Sequence, residues 1–186
     1  MIYAGWAPDR LTSKSAEHLT PPHIVRAVLR VLGEIDLDPC AETRDNPNVP
    51  AKEHYTTGDC SLQQEWHGRV YMNPPYGRTS EEPVQQWMEK IVGEIWAGRV
   101  TEAIVLWRAS TDTDAWVILT ECMMKVCFIQ GRLKFGAESN TGPAPFPSVA
   151  FYYGPNDILF HHVFMKLGQV WDCPRVGGQS SLRSWE

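Results

Sequence analysis

Residues 69–77 read RVYMNPPYG: an apolar run that ends in asparagine, two prolines, a tyrosine and a glycine. The run before Asn73 has the composition and length of a buried strand. Two consecutive prolines then remove two backbone donors and fix φ, so the strand must stop and the chain must leave in a rigid turn. Gly77 lets the backbone depart without a side-chain clash. The amphipathic stretch PVQQWMEKIVGEIW (83–96) follows, with Val84, Trp87, Ile91 and Ile95 on one side. Strand, polar turn, helix is therefore the local pattern.

The same pattern extends in both directions. Upstream, Thr20 is expected to cap a helix with Pro21 at its first position, Ile24, Val25, Val28, Leu29 and Leu32 on one face, and Gly33 at its end. IDLDP (35–39) reads as a short strand leaving in a turn. Residues 42–54, polar and holding Pro47 and Pro50, read as loop, and HYTTGD (54–59) as a further short strand. Downstream, EAIVLWRA (102–109) reads as a fully buried strand, and TDTDAWVILTECMM (111–124) as a helix capped near Thr111 or Thr113. VCFIQGRLKF (126–135) and PSVAFYYG (147–154) read as two late strands around a loop rich in glycine and proline; DILFHHVFMKLG (157–168) reads as a last helix. Alternating strands and helices predict an α/β fold, a mostly parallel sheet with helices on both faces. The expected organisation is one domain over 19–171, an N-terminal extension (1–18) and a loose tail (172–186). In such sheets ligands bind beyond the carboxyl ends of the strands. Two polar motifs fall there, DPCA after the first strand and NPPYG after the third.

Composition narrows the field. With 186 residues, 43% hydrophobic and 21% charged, the chain is expected to be globular. No apolar run has the length of a membrane span and MIYAGWAPDR lacks a signal-peptide core, so a cytoplasmic protein is expected. Five cysteines form no CxxC pair and are read as free thiols in a reducing compartment. His161 and His162 are neighbours that point about 100° apart on a helix, so no metal site is expected. A net charge of −5 argues against nonspecific coating of nucleic acid. Seven acids against Arg44 and Lys52 crowd residues 34–59, whereas residues 124–135 hold Lys125, Arg132 and Lys134 and no acid. One segment suits a cationic ligand, another can meet phosphates.

The Asn-Pro-Pro-Tyr turn suits a particular chemistry. The exocyclic amine of a nucleobase is planar and a poor nucleophile, because its lone pair is delocalised into the ring. Acceptors that hold its N–H groups return electron density to nitrogen. The Asn73 side-chain oxygen and the Pro74 carbonyl are two such acceptors, and Pro75 keeps them rigid. Tyr76 offers a stacking face, worth roughly 1–3 kcal/mol for a base. In a duplex the amine is paired, so the base must be flipped out. For a methyl donor such as S-adenosyl-L-methionine, Asp38 can take the ammonium or a ribose hydroxyl. Thr20 and the start of its helix can take the carboxylate, and Asp59 can accept from the adenine.

Together the segments LTPPHIV, IDLDPCAE, YTTGDCSL, WHGRVYMNPPYG, WMEKI, IVLW, GRLKF and PSVAFYYG, in that order from about Leu19 to Gly154, resemble the phage-type DNA N6-adenine methyltransferases, the Dam-like enzymes of phages and prophages. The resemblance implies a Rossmann-like fold, S-adenosyl-L-methionine as donor, a DNA partner and, in a phage, a host-cytoplasmic setting linked to restriction-modification. It carries donor contacts to Thr20 with Pro21, to the turn Asp38-Pro39-Cys40-Ala41, to Asp59 and to Asn73; catalytic roles go to Asn73, Pro74, Pro75 and Tyr76. Only 33 residues separate Pro39 from Asn73, so an abbreviated donor half is expected. With no separate recognition domain in view, loop 136–147 is the expected DNA reader, and a homodimer can supply further surface. Gly77, Arg78, Arg132 and Lys134 are the expected DNA contacts. The same turn would also serve a methyltransferase acting on RNA or on a protein glutamine amide, and a catalytically silent DNA-binding relative would share the fold.

Overall fold

The computed structural model describes residues 19–45, 47–75, 84–135 and 143–174. Its elements run α1 (Pro22–Leu32), β1 (Ile35–Asp38), β2 (Ala51–His54), β3 (Gly68–Met72), α2 (Val84–Trp96), β4 (Val100–Arg108), α3 (Asp114–Cys122), β5 (Lys125–Ile129), β6 (Ser148–Tyr153), α4 (Asp157–Phe164) and β7 (Gly168–Asp172). The strands form one sheet in the order β2-β1-β3-β4-β6-β5-β7. Pairs β1/β2, β1/β3 and β3/β4 are parallel, while β6 runs antiparallel to both β4 and β5, and β7 antiparallel to β5. This is the α/β architecture the sequence predicts, with helices on both faces, parallel from β2 to β4 and antiparallel from β4 through β6 and β5 to β7.

Strand alternation divides the core into two layers. Tyr71 of β3, Ile104 and Leu106 of β4, Cys127 of β5, and Ala150 and Tyr152 of β6 meet α1 and α4. Val70 and Met72, Val105 and Trp107, Val126, and Val149 and Phe151 meet α2 and α3 on the other face. A strand buried on both faces needs apolar residues at every position, and β4 has them from Ala103 to Trp107. α1 buries Ile24, Val25, Ala27, Val28, Val31 and Leu32 against the first layer. Each of the larger of these contributes roughly 1.5–3 kcal/mol.

Several expectations need correction. Thr20 does not cap α1: Pro21 occupies the N-cap, no side chain bonds the first turn, and the Pro21 carbonyl accepts from Ile24 and Val25 at 2.9 and 3.2 Å. The polar segment 42–54 is not all loop, because its last four residues form β2. This edge strand is held by its backbone ladder and by charge. Lys52 bonds Asp36 at 2.9 Å and Glu34 at 2.5 Å, and Arg69 of β3 bonds Asp36 at 2.9 Å. The Arg69 guanidinium, bonded to Asp36, holds that carboxyl well below its usual range. HYTTGD is not a strand beyond His54; Thr57–Asp59 forms a single 3-10 turn. The strand begun at Lys125 ends at Ile129, well before Phe135, and α4 ends at Phe164 rather than 168. β7, which no pattern announces, carries the sheet to Asp172, and Cys173 behind it is buried and donates its N–H to the Met124 carbonyl at 2.9 Å.

At the turn into β3 the chain takes φ +68° at Gly68, where a Cβ would fall 2.6 Å from Asp36 Oδ2. Only glycine lets the backbone pass so near that carboxylate.

Candidate active site

β1 and β3 lie side by side and end at the same edge of the sheet, with Leu37 opposite Val70. Asp38 terminates one and Asn73 follows the other. Because Tyr71 and Asn73 are two residues apart on an extended segment, they are directed to the same face, toward the start of α1. Thr20 sits there, 2% exposed, immediately before that helix. Its hydroxyl lies 2.9 Å from the Tyr71 hydroxyl and accepts from Asn73 Nδ2 at 3.2 Å. The amide nitrogen of Asn73 is thereby engaged by Thr20, and the acceptor of the same amide is its side-chain oxygen. Asn48 clamps the arrangement from outside by donating to the Thr20 carbonyl at 3.0 Å. Pro21 and Pro74 are buried and Pro75 is exposed.

The turn after β1 is equally constrained. Asp38 Oδ1 accepts the Cys40 N–H at 3.0 Å, the Asp38 carbonyl accepts from Tyr55 at 3.0 Å, and Ala41 donates to the Tyr55 carbonyl at 2.9 Å. Pro39 and Ala41 are buried and Cys40 half-buried. Asp38 is 3% exposed. Loss of water raises its pKa to about 7, against the lowering effect of the Cys40 N–H and with a further push from Glu42. Burial wins because one backbone donor does not replace a hydration shell. A buried carboxylate in this state suits a ligand that brings its own N–H or O–H donors, which the ammonium and ribose of S-adenosylmethionine do.

Asp59 has a different position. One oxygen accepts the Thr56 N–H at 2.7 Å and its hydroxyl at 2.8 Å; the other meets Arg44 at 2.5 Å. With Glu34 and Asp36 also in ion pairs, much of the acidic segment 34–59 is neutralised locally. Arg132 and Lys134 are exposed beyond the carboxyl end of β5, alternating with the buried anchors Leu133 and Phe135. β5 runs in the same direction as β4, so both cations sit at the same edge of the sheet as Asn73. Tyr76, Gly77 and Arg78, like the extension 1–18, residues 136–142 of the expected reading loop and the tail from 175, lie outside the described residues.

Sequence reasoning missed Tyr71 and Asn48. Strand alternation with Asn73 was a usable signal for Tyr71; Asn48, in a polar stretch, had none. Burial pushes the Cys122 and Cys127 thiols up to about 12, which leaves neither a ready nucleophile. Among the described residues, no three His, Cys, Asp or Glu side chains converge as a metal site, and no helix is long and apolar enough to cross a membrane.

No curated protein matches the chain. A family model described as DNA N-6-adenine-methyltransferase (Dam) matches residues 11–149, which span the first five strands and the start of β6, α1 to α3, and both polar turns. The fold, the turns at the ends of β1 and β3, and this match agree: the chain belongs to the Dam family of DNA N-6-adenine methyltransferases, enzymes that methylate adenine in DNA with S-adenosylmethionine as donor.

Proposed function

We propose that this protein methylates the exocyclic amine of an adenine flipped out of duplex DNA, by direct in-line transfer at the turn Asn73-Pro74-Pro75-Tyr76. The observation that carries this reading is the bond chain Tyr71–Thr20–Asn73, buried at Tyr71 and half-buried at Asn73, which engages the Asn73 amide nitrogen and supports its oxygen as the acceptor. When bound, S-adenosylmethionine supplies a methyl carbon made electrophilic by its sulfonium. The Asn73 oxygen and the Pro74 carbonyl accept from the amine, which raises the electron density of its nitrogen and supports the positive charge that develops there. The two prolines that follow Asn73 keep the acceptors in place without further ordering. Tyr76 stacks on the flipped base in this reading, by its place in the motif.

On the donor side, Asp38 and the turn Pro39-Cys40-Ala41 accept the ammonium or ribose. Thr20 has two acceptor sites and one proton. If Tyr71 and Asn73 both donate to it, its proton remains for a carboxylate. Asp59 braces the turn after β2 through Thr56 and Arg44, and in this reading the second acceptor site of its Oδ1 takes the adenine amine of the donor. Arg78, Arg132, Lys134, Gly77 and loop 136–147 form the DNA face, and the reaction belongs to the cytoplasm of the cell that holds the DNA. A monomer suffices for the site as described; a homodimer would extend the DNA face.

Transfer of labelled methyl groups to separate pools of DNA, RNA and protein tests the substrate. Native protein should label DNA alone, at adenine. Asn73→Ala should still bind donor and lose methylation by a factor of a hundred or more. An Asn73→Ala protein with native turnover would refute the assignment.

A further inference from the structure

Beside the catalytic turn lies a depression of about 280 Å³, lined by Val84 and Gln85 at the start of α2, Trp107 and Arg108 at the end of β4, and Asp112 to Ala115 at the start of α3. Register places it. Met72, the last residue of β3, pairs with Val105 of β4, so Trp107 and Arg108 lie at the carboxyl edge of the sheet from which the Asn73 turn also departs.

Among the described cations, Arg108 is set apart by a buried guanidinium nitrogen that has no partner. Arg44, Lys52, Arg69, Lys90, Arg99 and Lys125 all pair with carboxylates. Arg108 instead has its guanidinium carbon 5.3 Å from the ring centroid of the fully buried Trp107. Its Nε is buried with no hydrogen-bond partner, and no carboxylate among the described residues lies within ion-pair distance. Asp112 lines the same depression, exposed, and does not pair with it. The neighbouring side chains are already committed: Gln85 donates to Glu89 at 2.8 Å, and Thr113 donates to the Ser110 carbonyl at 2.8 Å and caps α3. Across the strand, Ser148, opposite Arg108 and 1% exposed, also has an unpartnered hydroxyl. By contrast, the larger depression of about 450 Å³ at the amino end of β4 is closed electrostatically, with Glu94 bonded to both Lys90 and Arg99.

A donor fork and an acceptor that share a depression without pairing call for a ligand with both functions. A phosphate is a poor candidate, because the Asp112 and Asp114 carboxylates would repel it. A neutral base edge offers acceptors to arginine and donors to a carboxylate. Accordingly, and resting on the function proposed above, we infer that this depression reads the base next to the methylated adenine, with Arg108 as the specificity-determining residue. The cation–π contact with Trp107, 5.3 Å from guanidinium carbon to ring centroid, restrains the planar fork beside the depression.

The test uses duplexes in which the bases flanking a target adenine are randomised, with methylation mapped at single-base resolution for the native protein, Arg108→Ala and Arg108→Lys. The native protein should favour one base at a flanking position, and both variants should lose that preference by roughly ten- to a hundredfold. Lysine keeps the charge but not the fork, so it should not restore the preference. Donor binding should stay native in both variants, which shows that they are folded. Three results would overturn the inference: a flat native profile, a native-like profile in Arg108→Ala, or a sequence-independent loss rescued by lysine, which would make Arg108 a backbone contact. A native protein that binds donor but methylates no DNA would instead refute the underlying function, and this reading with it.

Discussion

Thr20→Val removes a hydroxyl and leaves the shape of a buried side chain nearly unchanged. Its hydroxyl takes part in two bonds, at 2.9 Å to Tyr71 and 3.2 Å to Asn73. At roughly 1 kcal/mol net for each buried hydrogen bond, the variant should lose about 2 kcal/mol of stability. For a domain of this size that corresponds to a fall in Tm of roughly 4–8 °C. The catalytic effect is separable. If the bond to Thr20 contributes about 1.4 kcal/mol to holding the Asn73 oxygen against the amine, kcat should fall about tenfold at saturating donor. Tyr71→Phe is the matched control: it removes the 2.9 Å bond, leaves Asn73 bonded to Thr20, and should cost about 1 kcal/mol with a smaller loss of turnover. Urea unfolding gives the stabilities, and methyl incorporation into an adenine-containing duplex gives kcat. Native stability and turnover in Thr20→Val would refute the orienting role, as would a larger kcat loss in Tyr71→Phe than in Thr20→Val.

Three further outcomes are expected. The folded pKa of Asp38, raised to about 7 by burial, lies above its unfolded value of 3.8, so the folded state binds more protons between the two. Without donor, stability should therefore fall as pH rises from about 4 to about 7 and level off above, while Asp38→Asn lacks this component. The difference between the two proteins isolates it from Asp36, whose lowered pKa acts in the opposite direction, present above the unfolded value and lost at lower pH. Donor affinity, measured by calorimetry, should rise through the same interval if the ionised carboxylate is the contact; an unchanged affinity would exclude it. At the other end of β4, Tyr152 donates to the buried Glu102 at 2.6 Å and accepts the Asn156 N–H at 2.7 Å. Tyr152→Phe should lower stability by about 2 kcal/mol and leave turnover at saturating substrates native; a catalytic defect without unfolding would contradict that division.

Much of the fold was legible because hydrophobic periodicity is a local property of the chain. The alternation of strand and helix, the stop enforced by Pro74 and Pro75, and the two polar turns at strand ends all follow from residues close together in sequence. Tertiary structure decided what depends on distant partners. β2 has no apolar stripe to announce it, being held by β1 and by the pairing of Lys52 with Glu34 and Asp36. β6 enters between β4 and β5, a choice of neighbour that its apolar residues alone do not specify, and β7 exists because β5 presents a free edge. Thr20, which by local rules begins a helix, instead bonds side chains 51 and 53 residues away. A short polar residue takes whichever buried partner packing brings to it, and only the folded chain brings Tyr71 and Asn73 there.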